Sequence, residues 1–235
     1  MRLLIFFTFL ILSFSLNAQK NDLLICYSTS GNSKNIINED SVPESPMNLF
    51  DNWFNDATSI KGDFEPNAMT LSTIDNKGFP KGRVVLLKFY SDEGFIFFTN
   101  YNSEKSVSIS DNNKVSISFF WEQLERQVII KGYADKTSNK ISDEYFNSRP
   151  KGSKIGALVS SNQSSVIDSR VILEQRFKKL TKEFSNKEIK RPVNWGGFLV
   201  KPIEYEFWQG GDNRLHDRIR YSLIDKKWKI DRLSP

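Results

Sequence analysis

Residues 69–99 read MTLSTIDNKGFPKGRVVLLKFYSDEGFIFFT, and this stretch decides the fold class. Apolar side chains crowd Met69–Ile74, Arg83–Tyr90 and Phe95–Thr99, each run short and rich in β-branched or aromatic residues. Between them stand Asp75-Asn76-Lys77-Gly78 and Ser91-Asp92-Glu93-Gly94, two turns that each end in glycine. Short apolar runs joined by tight polar turns predict an antiparallel meander. Further along, Val115–Trp121 and Arg126–Ala134 read as two more strands, and Gly197–Val200, Tyr205–Gln209, Ile219–Ile224 and Trp228–Asp231 as four others. Helices are expected at Met47–Ala57, with Leu49, Phe50, Trp53 and Phe54 on one face, and at Ser103–Ser110 and Ser138–Asn147. A longer one spans Ser169–Phe184, with Leu173, Phe177, Leu180 and Phe184 aligned. Many short antiparallel strands with few helices predict an α+β, mainly β, protein built on a β-barrel with peripheral helices.

Composition narrows the chemistry. The 235 residues suit one large domain, and 19 Phe with 5 Trp supply ample core. The net charge of +5 comes from basic residues interleaved with acids. That pattern suits small phosphorylated ligands and argues against a nucleic-acid partner, which calls for a basic stripe. The single cysteine, Cys26, and the single histidine, His216, exclude an intramolecular disulfide and a Cys/His zinc site. No metal is expected; the residue set points to an organic cofactor or to plain binding.

The N-terminus reads separately. Residues 1–18, MRLLIFFTFLILSFSLNA, have the layout of a secretory signal or membrane anchor. Residues 19–46 read as a linker. Within it, Ser28-Thr29-Ser30-Gly31-Asn32-Ser33 follows an apolar run and resembles the phosphate loop of flavodoxins, but the strand–helix units that should follow are missing, so a polar linker is the better reading. Val42-Pro43-Glu44-Ser45-Pro46 is a turn-rich hinge, after which the main domain is placed at 47–235.

Three groups of polar residues stand out. Arg83 and Lys88 bracket an apolar strand; five apart, they point to opposite faces and serve different groups, or are its solvated ends. Tyr145 and Arg149 lie one helical turn apart, with Ser153 just beyond, so a phenol, a guanidinium and a hydroxyl can converge on one dianion. In Trp208-Gln209-Gly210-Gly211-Asp212-Asn213-Arg214-Leu215-His216-Asp217-Arg218, a strand leaving the turn would put Arg214, His216 and Arg218 on one face. Three basic side chains so placed repel unless an anion or an electron-rich ring sits among them, which makes this a ligand site.

These blocks, with Asn48-Leu49-Phe50, Phe98-Thr99-Asn100, Glu125-Arg126-Gln127-Val128, Gln163-Ser164-Ser165, Trp195-Gly196-Gly197-Phe198 and Trp228 to Pro235, occur in the order found in the pyridoxine/pyridoxamine 5′-phosphate oxidase family. From Met47 onward the chain resembles these FMN-binding split-barrel flavoproteins. The resemblance implies a homodimer with FMN at the subunit interface. Arg83, Val84, Val85 and Leu86 match family FMN contacts, as do Phe98, Thr99, Lys105 and Gln127, and then Gln163, Ser164, Trp195 and Arg218. Lys88, Tyr145, Arg149 and Ser153 match the residues that hold the substrate phosphate, and Arg214 and His216 the catalytic pair over the substrate ring. The implied reaction oxidises pyridoxamine 5′-phosphate or pyridoxine 5′-phosphate to pyridoxal 5′-phosphate, with hydride passing to flavin N5 and O2 reduced to H2O2. A protein of the same fold that binds FMN or pyridoxal phosphate without turnover is the alternative. The family implies a cytoplasmic location, against residues 1–18.

Three departures accompany the resemblance. Glu104 stands beside Lys105 where the family usually has Arg, which predicts weaker FMN binding. Ser160-Ser161-Asn162 carries what looks like an extra residue, which predicts a shifted loop. The family's Arg/Tyr-bearing segment that closes over the substrate has no clear counterpart in residues 19–46.

Overall fold

The structure is a computed structural model that describes residues 36–235. The leader-like residues 1–18, the flavodoxin-like loop 28–33 and most of the linker lie outside the described residues.

The predicted meander is present, except that its middle strand, read as one run Arg83–Tyr90, is broken at Leu87 and Lys88, while the runs Gly197–Val200 and Tyr205–Gln209, read as two strands, form one. β1 (Ala68–Ile74) pairs antiparallel with β2 (Pro80–Leu86), and β3 (Phe89–Ser91) with β4 (Gly94–Asn100). The Asp75 carboxylate fixes the first turn by accepting N–H bonds from Lys77 and Phe79, both 2.9 Å. β5 (Lys114–Trp121), β6 (Arg126–Lys136) and β7 (Trp195–Gln209) complete the path β2-β1-β5-β6-β7-β4-β3. The chain runs from β2 into β3 through Leu87 and Lys88, whose N–H groups donate to Asn67 O and Ile96 O at 2.8 Å. That link joins the two ends of the path and closes the sheet into a barrel.

β7 explains the split. Its first half pairs with β4 (Phe95↔Val200 through Asn100↔Trp195), while its second half pairs with β8 (Asp217–Ile224), which carries β9 (Lys227–Leu233). β4 and β8 thus follow one another along the same strand, and the β8–β9 hairpin departs from the barrel. A register shift at Lys131/Gly132 on β6 accommodates the bend. A Cβ at Gly132 would run into the Lys201 backbone carbonyl, so only glycine fits there.

Two cores hold the fold. Helix α1 (Pro46–Thr58) plugs one end of the barrel, with Phe50 among the rings of Tyr90, Phe95 and Phe119 and Trp53 edge-on to Phe207. Leu49, Phe50 and Trp53 are buried on the face read from the sequence. The second, smaller core gathers Phe146, Ile155, Val159, Ile189 and Trp195 under α3 (Asn139–Ser148), α4 (Lys151–Val159) and α5 (Arg170–Glu183). Helix α4 was not expected. Gly152 and Gly156 weaken its helical signal, and its start is set by Pro150 at the N-cap.

The segment before α1 is docked. Ile37 is buried, its N–H donates to Asp217 Oδ2 (3.0 Å), and Arg232 grips Ile37 O and Glu39. Tyr221 OH donates to Pro43 O at 2.8 Å. The segment from Ile37 to Pro43 is thus held against β8 and β9.

Candidate functional site

A cleft of about 710 Å³ opens where the ends of β2 and β4 meet α3 and α4. Its apolar wall is a ring stack: Phe98 lies 4.1 Å from Tyr145 and 5.5 Å from Trp195, both nearly parallel. The guanidinium of Arg149 sits 4.8 Å over the Trp195 ring. Its Nη1 is buried and has no hydrogen-bond partner among the described residues, although buried polar groups are almost always paired. Burial holds Arg149 below the usual guanidinium range, partly offset by Tyr145. Lys88 lies past the end of β2 on the cleft wall, and Ser153 is in the first turn of α4. The first N–H groups of α4 have no side-chain cap there, a disposition that favours an anion.

A second cationic group serves the same cleft. Lys105, in the first turn of α2 (Glu104–Asp111), bonds only hydroxyls, Thr99 Oγ1 at 3.3 Å and Ser103 Oγ at 3.2 Å. Burial pushes its ammonium below the ordinary lysine value, and the nearby Arg83 pushes it further. Arg83 itself donates to Thr73 Oγ1 (2.7 Å) and Leu71 O (3.2 Å), also without a carboxylate bonded to it. Among the described residues no Asp or Glu lines the cleft, against the three cations Lys88, Lys105 and Arg149. Such a surface is complementary to anions.

Glu104 is close enough to attract both Arg83 and Lys105, but its side-chain hydrogen bonds go elsewhere. Its carboxylate takes both bonds of Lys81 Nζ, at 2.7 and 2.8 Å, and Lys81 holds it below the usual carboxylate range. Its N–H donates to Ser164 Oγ (3.2 Å), and Ser164 adopts a left-handed φ of 75°. The loop with the apparent extra residue is pinned: Asn100 Nδ2 donates to Ser160 O and Ser161 O, and Asn194 Nδ2 to Ser161 O. Gln163 then reaches the cleft beside Thr99.

Thus Val84, Val85, Leu86, Lys88, Phe98, Thr99, Lys105, Tyr145, Arg149, Ser153, Gln163 and Trp195 come together, with Arg83 and Ser164 beside them. Gln127, Arg214, His216 and Arg218 do not line this cleft. They gather at the other end of β7, which carries Trp195 at its start and Trp208 thirteen residues on, roughly 43 Å of strand. Gln127 faces Trp208 and Trp208 faces Arg218 across the sheet, so the three side chains share one face. The His216 ring lies 4.7 Å from Trp208.

One expectation is corrected here. Arg214, His216 and Arg218 do not alternate along a strand, because Asp212–Arg214 forms a 3-10 turn and β8 begins only at Asp217. Asn213 and Arg214 take left-handed φ values of 55° and 63°, and the chain doubles back. Trp208 is the residue that sequence reasoning passed over. Its place beside Gln127 and Arg218 follows from the strand register, which the sequence does not display. Trp195, by contrast, is 7% exposed and acts as a floor under Arg149.

Comparison with known proteins gives a consistent picture. The profile of the pyridoxamine 5′-phosphate oxidase family matches residues 61–183, and that of the pyridoxine 5′-phosphate oxidase C-terminal dimerisation region matches residues 195–235. A pyridoxine/pyridoxamine 5′-phosphate oxidase of Flavobacterium johnsoniae is 60% identical over 202 residues, covering 86% of this chain and 94% of that protein. Its counterpart in Flavobacterium psychrophilum is 56% identical over 203 residues, with the same coverage. Among solved structures, PhzG from Burkholderia lata, in complex with tetrahydrophenazine-1-carboxylic acid, superposes with a TM-score of 0.78 at 26% identity, over 86% of this chain and 98% of that one. A pyridoxamine 5′-phosphate oxidase-related, FMN-binding protein from Nostoc punctiforme shares the fold, with a TM-score of 0.65 at 14% identity, over 83% and 100% of the two chains.

Proposed function

The chain belongs to the pyridoxine/pyridoxamine 5′-phosphate oxidase family, and from that membership we propose that it oxidises pyridoxamine 5′-phosphate and pyridoxine 5′-phosphate to pyridoxal 5′-phosphate, with FMN as cofactor and O2 as oxidant. The observation that carries the reading for this chain is the buried, unpartnered Nη1 of Arg149 in a cleft with three cations and no acid. A buried donor of this kind costs free energy unless a ligand completes it. The second cationic group, Lys105 with Arg83, gives the cleft a place for a second phosphate, and the Phe98 ring stack gives it a flat apolar wall. A cofactor phosphate and a substrate phosphate fit this pair of groups.

FMN, when bound, supplies the two-electron acceptor that O2 restores. Lys105, Arg83 and Ser164 would hold its phosphate, with Val84, Val85, Leu86, Thr99 and Gln163 alongside. Arg149, Lys88, Tyr145 and Ser153 would grip the substrate phosphate by charge-assisted bonds. This grip lies away from the reacting carbon, so its binding energy orients the substrate. Gln127, Trp208, Arg214, His216 and Arg218 complete the site from a second copy. The dimerisation region, residues 195–235, carries four of these five residues, all but Gln127. The sheet face that bears Gln127 also exposes Phe120 at 56%, an aromatic suited to burial against a partner.

The direct test is optical. Purified protein reconstituted with FMN should be yellow, and anaerobic addition of pyridoxamine 5′-phosphate should bleach it. A protein that stays colourless with added FMN ends the reading. One that is yellow but does not bleach is a binding protein without turnover.

A further inference from the structure

We propose that His216 acts as a fixed hydrogen-bond donor through Nε2–H, its tautomer set by the backbone N–H of Gly211, so that it holds an acceptor atom of the ligand and does not remove a proton. The role in the site rests on the function proposed above; the tautomer does not.

The argument starts from which atom faces which. Gly211 N–H donates to His216 Nδ1 at 3.1 Å. A neutral imidazole carries one proton, and a nitrogen that accepts a hydrogen bond is the one without it. The proton is therefore on Nε2, which makes no hydrogen bond among the described residues. In a Ser-His-Asp arrangement, where histidine serves as the base, Nδ1–H instead donates to a carboxylate that supports the charged ring. Here the polarity at Nδ1 is reversed. The neighbouring carboxylate, Asp217, is not available for that part: its Oδ2 accepts the Ile37 N–H (3.0 Å) and its Oδ1 accepts Arg232 Nη1 (2.6 Å).

The loop is shaped to make this bond. Leu215 N–H donates to Asp212 O (3.0 Å), and the left-handed residues Asn213 and Arg214 turn the chain so that His216 comes back to Gly211. A Cβ on Gly211 would run into the Leu215 carbonyl, so glycine is what lets the two strands of the loop approach. Gln209, 1% exposed, anchors the base of the loop: its Nε2 donates to Leu124 O (3.0 Å) and its Oε1 accepts Arg126 Nε (2.8 Å). Trp208 stops the ring from the other side, 4.7 Å away and inclined by 44°. With Nδ1 bonded to Gly211 and the ring beside Trp208, Nε2–H is left to meet a ligand. Because the phosphate is taken by the Arg149 group, the acceptor offered to Nε2–H is a ring oxygen, which the amine and the alcohol substrate share. His216 then aligns the ring without choosing between the two.

A histidine that is single in the sequence makes the test direct, since [15N]histidine labelling gives one residue's two nitrogens. On FMN-loaded protein at about pH 8, where a free histidine is neutral, the two-bond 1H–15N spectrum should show an unprotonated Nδ1 and a protonated Nε2. Saturating pyridoxal 5′-phosphate should shift Nε2 and leave the tautomer unchanged. A protonated Nδ1, or averaged nitrogens, overturns the proposal; an unmoved Nε2 overturns its ligand half. His216→Gln keeps an amide donor near Nε2, and His216→Asn places its amide near Nδ1. The glutamine variant should retain about tenfold more of the wild-type bleaching rate than the asparagine variant, and equal losses overturn the donor role. If the spectrum shows Nε2–H and the wild-type protein does not bleach at all, the tautomer stands and the oxidase reading fails.

Discussion

Arg149→Met should make the protein more stable and nearly unable to hold a phosphorylated substrate. Arg149 Nη1 is buried without a partner, a state that costs about 1–3 kcal/mol. Its guanidinium recovers part of this by stacking over Trp195 at 4.8 Å, worth about 0.5–1 kcal/mol. Methionine keeps the contact with the ring and removes the orphaned charge, so the net gain is about 1 kcal/mol. For a chain of this size that raises Tm by about 2–4 °C. On the binding side, the lost charge-assisted bonds to phosphate are worth about 1.5–3 kcal/mol, or roughly a 10- to 150-fold rise in the Kd for pyridoxal 5′-phosphate. Thermal melts of the FMN-loaded protein and an absorbance titration with pyridoxal 5′-phosphate measure the two quantities. A variant that melts lower and binds as tightly as wild type would refute the reasoning, because Arg149 would then be a structural residue whose partner lies elsewhere.

Four further outcomes follow from the same geometry. Glu104→Arg should tighten FMN about 3- to 5-fold and Lys81→Met should loosen it, since Lys81 neutralises the Glu104 carboxylate in a half-exposed pair; a flavin-fluorescence titration in which both move the same way rejects this. FMN affinity should fall as pH rises through the Lys105 pKa, which burial and Arg83 place below that of a free lysine: the anion prefers the ammonium, so this contribution is present below that pKa and lost above it, and Lys105→Arg should flatten the alkaline side of a flavin-fluorescence titration profile. Gly197→Ala should destabilise by about 1–3 kcal/mol and release FMN, because its Cβ would sit 2.7 Å from Thr137 Oγ1 and 2.9 Å from the Phe98 ring; unchanged melting and flavin retention would contradict it. Mixing Arg149→Met with His216→Ala subunits should restore about a quarter of the wild-type sites, as expected for random pairing of complementary halves; no recovery would mean that one chain holds a whole site.

Much of this was legible in the sequence because it is local. The meander announces itself through short apolar runs and glycine-ended turns, and the α1 face through the spacing of Leu49, Phe50 and Trp53. What escaped depends on tertiary context. Helix α4 carries two glycines and becomes helical because its Ile155 and Val159 have a core to enter. The loop at Asp212–Arg214 looked like the start of a strand because alternation is a property of residue types, whereas the turn is fixed by the close approach of Gly211 to Leu215. Trp208 gains its meaning only from register with Gln127 and Arg218.

The same contrast explains why the site residues fall into two groups. Those in the cleft come from elements that close the barrel: the end of β2, the end of β4, and the helices packed on the start of β7. Those in the second group sit where β7 leaves the barrel to pair with β8, and none of them lines the cleft. β7 is therefore both the wall shared by the two groups and the strand that keeps them apart. A cleft lined by three cations and no acid is costly to leave empty, while the face that bears Gln127, Trp208 and Arg218 exposes aromatic surface. Both are satisfied at once if each copy offers its β7–β9 face to the cleft of the other. Under the proposed function dimerisation would then be part of the active site's construction, each subunit bringing the phosphate grip for one site and the histidine for the other.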